Sequence, residues 1–311
     1  MRKGAAPLLF PILVGTILGL FIVIVAVDPV RPEAQGVVHL EQPADGRASP
    51  SPGGRPLRVA VAAMVSPGDT FLSYRRFADY LAAQLGMKAE LVLRPTYEEV
   101  NELVRRGEVD VAFICSGAYA AAVAEGGVHL LAAPVVAGET TYNSDIIVAR
   151  TSTARGLVDL RGRRFGYVDQ LSNSGWLAPR RRLAELGYDP DRFFGDVIIT
   201  HSHDKSIRAV AQGIADGASV DSLILEAMLS RGDPEAGAVK VVERLGPFGM
   251  PPVVTPEALD PELEERLLQA LLAMGDTPES RAILAPLRID RFRVPSPTEY
   301  QDLVEAAAAA E

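Results

Sequence analysis

An α/β protein of two lobes, each a mostly parallel sheet flanked by helices, is what the chain predicts. Three observations carry this. β-type runs alternate with amphipathic helical runs from residue 57 to 114, the alternation starts again after Tyr142, and two late elements have no third sheet to join. In the first unit, strands are expected at 57–64, 89–93 and 109–114, with helices at 71–85 and 97–106. In the second, strands at 144–149, 164–168, 196–200 and 218–220 enclose helices at 176–186 and 205–212. Such spacing covers both faces of a sheet with helices. A strand at 239–242 and an apolar helix at 262–274 are expected to return to the first unit. The predicted lobes are therefore 57–141 and 142–237, with 238–311 returning to the first lobe and supplying C-terminal helices. Between two such lobes lies a cleft, and loops at the carboxyl ends of its strands are where α/β sheets bind ligands.

The 311 residues suffice for two lobes with a real core, and 48% hydrophobic against 23% charged residues excludes a disordered chain. A net charge of -9 argues against a nucleic-acid partner, because no basic domain remains to neutralise phosphates. Cys115 is the only cysteine, so neither an intrachain disulfide nor a cysteine-based zinc site can form. It ends the apolar run Val111-Ala112-Phe113-Ile114, which suits a buried, inert thiol.

Residues 5–27 are uncharged and apolar and follow Arg2 and Lys3, so residues 1–28 read as an uncleaved signal anchor or a signal peptide, with the rest of the chain outside the cytoplasm. The anchor is favoured, since the run exceeds a usual signal core and no A-x-A site follows. Residues 29–56, rich in Pro, Gly and Ser, read as a flexible tether.

The stretch Asp169-Gln170-Leu171-Ser172-Asn173-Ser174-Gly175-Trp176 lies between a predicted strand and a predicted helix. A helix start offers unpaired backbone N–H groups and partial positive charge, and Ser172, Asn173 and Ser174 add side-chain donors, a combination suited to an anion with several oxygens. Plain N-capping by Asn173 or Ser174 fits the same stretch. Other strand-end candidates are Ser66, Tyr97, Ser116, Tyr119, Tyr142, His203, Asp204, Asp221 and Ser222. Asp204 reads as an N-cap, and His203 as a donor to an anionic oxygen. His201 and His203 are poorly spaced as metal ligands. Without a G-x-S-x-G elbow or a glycine-rich nucleotide loop, the set does not describe an enzyme, and neither cofactor nor metal is expected.

The succession Tyr97-Glu-Glu-Val, Gly107-Glu-Val-Asp110, Ser116-Gly-Ala-Tyr119, Tyr142-Asn-Ser144, Asp159-Leu160-Arg-Gly162, Ser172-Asn-Ser174-Gly175, Phe193-Phe194, Ser202-His203-Asp204 and Val220-Asp221-Ser222 resembles the phosphate/phosphite/phosphonate-binding proteins of ABC transporters. The resemblance covers residues 57–274. It implies a type II periplasmic-binding-protein fold closing on a small oxyanion, an ABC permease as partner, and a monomer that performs no chemistry. Carried over by position, Ser172, Asn173 and Ser174 would hold the ligand's oxygens, with His203 donating to another. Tyr97 and Tyr142 would reach in from two sides, Ser116 would be a further donor, and Asp221 would line the cleft. Where amine-selecting members carry an acidic residue, this chain reads Phe248-Gly249-Met250-Pro251-Pro252. An inorganic oxyanion or an apolar phosphonate is therefore favoured over an aminoalkyl one. The anchor is a second departure, and it leaves a membrane-anchored sensory or accessory module, signalling to a separate partner, as the alternative reading.

Overall fold

The computed structural model describes residues 54–62 and 67–309. The predicted anchor, the tether as far as residue 53, and Ser66 lie outside them. Among the described residues no helix is long and apolar enough to cross a membrane.

Strand β1 (Leu57–Ala62) turns Leu57, Val59 and Val61 to one face and Ala60 and Ala62 to the other, all buried, as a period of two dictates for a strand covered on both sides. It pairs in parallel with β2 (Ala89–Arg94) and β3 (Val111–Phe113). With β4 (Val128–Val135), β10 (Val253–Pro256) and β11 (Arg291–Arg293) these form a six-stranded sheet ordered β11-β4-β10-β3-β1-β2. Helices α1 (Pro67–Gln84), α8 (Pro261–Leu272) and α9 (Pro278–Leu284) cover one face. The other is covered by α2 (Tyr97–Arg105) and α3 (Ser116–Glu125), with α10 (Gln301–Ala308) packed on α3.

The second sheet runs β7-β6-β8-β5-β9, from β5 (Thr141–Ala149), β6 (Arg164–Tyr167), β7 (Asp196–Ile199), β8 (Gly217–Asp221) and β9 (Val239–Gly249). Ile147 meets α5 (His203–Ala211), α6 (Ser222–Ser230) and the short α7 (Pro234–Gly237) on one side. Ile146 and Val148 meet α4 (Ala178–Glu185) and an aromatic group around Phe165 on the other.

Three expectations need correction. The sheets are mixed: parallel pairing is confined to β1 with β2 and β3, and to β6 with β7 and β8. The reason lies in the crossovers. The chain leaves the first sheet after β4 and enters the second as β5, antiparallel to β8 and β9; it returns as β10, antiparallel to β3 and β4. The late strand was expected in the first unit, yet β9 pairs with β5 from Ala149↔Val239 to Thr141↔Gly249, and the return begins only at β10. The nine residues of β5 give β9 an antiparallel partner along most of its eleven. Thirdly, Asp204 is not an N-cap. Ser202 holds that position, and buried Asp204 accepts from Arg208 Nη1 at 2.6 Å, one turn along α5.

The packing of the second lobe leans on Phe165, fully buried and stacked on Phe194 with centroids 4.1 Å apart and an interplanar angle of 9°. Replacing Phe165 by Ala is expected to cost about 3–5 kcal/mol, read as a lowered urea midpoint at unchanged slope.

Candidate functional site

The carboxyl ends of β2, β3, β6, β7 and β8 and the amino end of β5 meet at the seam between the two sheets. Each supplies a predicted residue. Thr96 caps α2 through a capping box and so sets Tyr97 in the first turn. Ser116 opens α3 directly after β3, and Tyr142 stands in the first turn of the β5 ladder. His203 and Asp221 open α5 and α6. All of these, with Ser172, Asn173 and Ser174, are at most 2% exposed.

After β6 the chain forms a π-turn over Asn173–Leu177, in which the N–H groups of Trp176 and Leu177 both donate to the Ser172 carbonyl at 3.0 Å. Wide turns of this kind occur often at functional sites. The cap is Ser172, whose Oγ accepts from Gly175 N at 3.0 Å, rather than Asn173 or Ser174. Those two side chains are thereby left for other use. The loop is fixed from behind: Ser144 Oγ and Ser219 Oγ each lie within hydrogen-bond reach of the Ser174 carbonyl, at 2.8 and 2.6 Å. Gly175 is required because a Cβ there would sit 2.6 Å from Val168 Cβ.

The two lobes touch through this loop. Asn173 N donates to Cys115 Sγ at 3.3 Å, and Asn173 Nδ2 donates to Tyr142 Oη at 3.2 Å. Tyr142 Oη in turn lies 2.8 Å from Ser116 Oγ. A Cβ on Gly117 would stand 2.4 Å from the Leu171 carbonyl oxygen, so the approach requires glycine. Asp169 reaches across as well, accepting from Tyr97 N at 3.3 Å while Oδ1 accepts from Leu171 N.

Three polar atoms of the seam, Tyr97 Oη, Asn173 Oδ1 and Ser174 Oγ, are buried with no hydrogen-bond partner among the described residues. Burial raises the Tyr97 and Tyr142 hydroxyls well above the usual tyrosine range, and Cys115 is also raised by burial, so all three are neutral. His203 Nδ1 accepts from Asp221 N at 3.0 Å, which leaves the ring proton on Nε2. Burial lowers its pKa to about 3, outweighing the opposite pull of Asp204, so it is a neutral donor. Asp221 caps α6 by accepting from Leu223 N at 2.7 Å, and burial pushes its carboxyl up to about 7.

The remaining candidates lie apart from this group. Tyr119 packs edge-on against Tyr300, centroids 5.0 Å apart, Ser222 Oγ accepts from Asn143 N, and His201 is exposed. Among the described residues no cluster of three His, Cys, Asp or Glu could hold a metal ion. Cys115, Asp169, Ser144 and Ser219 were not singled out as site residues from sequence. Ser144 appears only within the Tyr142-Asn-Ser144 motif, and Ser219 carries no local signal, because both act through the distant Ser174 carbonyl.

Two lobes joined by two crossovers, meeting over buried neutral donors, have the form of a solute-binding protein. A family model described as "ABC transporter, phosphonate, periplasmic substrate-binding protein" matches residues 59–300, and the chain belongs to this family. It is 29% identical over 227 residues to the phosphate-import protein PhnD of Mycolicibacterium smegmatis, covering 69% of this chain and 71% of that one. Against the phosphonates-binding periplasmic protein of Escherichia coli it is 26% identical over 226 residues, covering 71% and 66%. The binding-protein component of an ABC phosphonate transporter from Pseudomonas aeruginosa superposes with a TM-score of 0.74 at 20% identity, covering 83% of this chain and 96% of that one.

The lowered pKa of His203 makes its neutral burial a pH-dependent contribution to stability. An unfolded histidine titrates near 6.5, so the contribution is complete above about that pH and is lost as pH falls towards 3. At the acid end the loss is roughly 3–6 kcal/mol. His203→Asn is expected to flatten this acid limb in urea denaturation between pH 7 and pH 4.

Proposed function

We propose that this chain binds a phosphorus oxyanion, in the class of phosphonate, phosphite or phosphate, at the seam between its lobes and presents it to an ABC permease. The observation that carries the reading is the trio of buried, unpartnered atoms Tyr97 Oη, Asn173 Oδ1 and Ser174 Oγ on a seam that also holds a neutral His203 donor. Each such atom costs about 1–3 kcal/mol unless something bonds to it. Oxygens of a tetrahedral anion accept from the two hydroxyls, and from Asn173 once its amide is turned so that Nδ2 takes the place of Oδ1.

In this reading Tyr97, Ser174 and His203 Nε2 donate to ligand oxygens. Ser172 keeps its capping bond and directs its hydroxyl proton to the ligand, while Ser116 orients Tyr142. Rotating the Asn173 amide exchanges Oδ1 and Nδ2, so that Tyr142 donates to Oδ1 and the NH2 group faces the ligand. None of these residues is a cation. A monoanion is therefore favoured over a dianion, and Asp221, protonated below about 7, donates to one of its oxygens. The lobes close on the ligand by bending at the two crossovers. We read residues 5–27 as an anchor in the cytoplasmic membrane and 29–56 as its tether, with a monomeric body outside the cytoplasm. The family, whose description names a periplasmic transport component, supports the location and the permease partner.

Thermal melting of the full-length protein is expected to rise with millimolar phosphate, phosphite or methylphosphonate and not with sulfate, which carries no proton at neutral pH. Ser174→Ala and Tyr97→Phe should each weaken binding about ten- to a hundredfold by calorimetry. An unshifted melting curve with all three phosphorus oxyanions would sink the reading. Affinity should also decline as pH rises above about 7, where Asp221 and the ligand both lose their protons; Asp221→Asn should reduce that slope.

A further inference from the structure

Beside the buried hydroxyls lies an apolar cavity of about 110 Å³ that reaches from Asp221 outward between the lobes. The first lobe contributes Phe113 and Ile289 to its wall, the second lobe Leu223 and Ile224, and the returning crossover Pro251 and Pro252. It adjoins the oxyanion group on two sides: Ile114 on the wall leads directly into Cys115 and Ser116, and Asp221, 2% exposed, forms its inner end. Glu226 and Arg288 stand at the outer end, where Arg288 Nη1 donates to the Glu226 carbonyl and to Ser230 Oγ, both at 2.8 Å, tying the lobes together.

Facing apolar walls gain dispersion contacts from an apolar group that lies between them. Inorganic phosphate or phosphite held by the hydroxyls supplies no such group. A hydrocarbon chain does. An apolar cavity of about 150 Å³ admits the six carbons of benzene, so on that scale this volume takes about four. An ammonium at the same place would bring three donors to a wall whose one buried carboxyl, Asp221, already accepts from Leu223 N and has its pKa pushed up to about 7.

Building on the oxyanion reading, we infer that the seam cavity houses the organic substituent of the ligand, and that the preferred ligands are alkylphosphonates with an unbranched tail of two to four carbons.

The test is calorimetric titration of the full-length protein with phosphite, methyl-, ethyl-, n-propyl- and 2-aminoethylphosphonate, the last two having tails with the same number of heavy atoms. Affinity is expected to rise about fourfold per methylene from methyl to propyl, with propyl at least tenfold tighter than 2-aminoethyl. Ala227→Leu and Ile224→Phe, which intrude on the cavity from α6, should bring the propyl-to-methyl ratio close to one. If phosphite and methylphosphonate bind while longer tails add nothing, or if 2-aminoethylphosphonate binds more tightly than propylphosphonate, this inference fails and the oxyanion reading stands. If no phosphorus compound binds, both fall.

Discussion

A buried hydroxyl or amide without a partner is costly, and this molecule gathers three of them where two lobes meet. The rest of the structure depends on how that cost is arranged. Tyr97 is held at the start of α2, between its own capping box and the Asp169 carboxylate of the opposite lobe. Asn173 and Ser174 project from a π-turn whose cap is the neighbouring Ser172 and whose carbonyl is fixed by Ser144 and Ser219. These groups are thus positioned by the fold itself, which lowers the ordering cost of any binding at the seam.

The mixed sheets serve the same end. Because β5 and β10 are each delivered by a crossover into the opposite lobe, the ends of five strands and the start of a sixth converge on one seam. The crossovers also put Met250, Pro251 and Pro252 at the meeting point, where the return strand begins. Close approach there demands a residue without a side chain at Gly117. The seam therefore joins polar groups on its inner side to apolar walls further out.

Charge is handled without cations in the group that faces the seam. Burial holds His203 neutral, with its proton on Nε2 because Nδ1 accepts from the backbone of Asp221. Asp221, an acidic side chain of this group, has its pKa moved close to neutrality. A site built this way depends on hydrogen bonds, whose strength grows as water is excluded.

Much of this was legible in the chain. The alternation of strands and helices, the hydroxyl-rich loop at 172–174, and the positions of Tyr97, Ser116, Tyr142, His203 and Asp221 at strand ends all follow from local pattern, because periodicity and loop chemistry are local properties. Helices α3 and α6 carry no amphipathic signature in the sequence, since their apolar residues wrap nearly all round. What tertiary structure alone decided was non-local: the antiparallel entry of β5 and β10, the retention of β9 in the second sheet, the bond from Asn173 N to Cys115 Sγ, and the Asp169 contact with Tyr97 N, which joins residues 72 apart. Sequence sets which side chains are available at each loop. Their satisfaction, and hence which atoms remain for a ligand, is fixed only when distant segments are packed against one another.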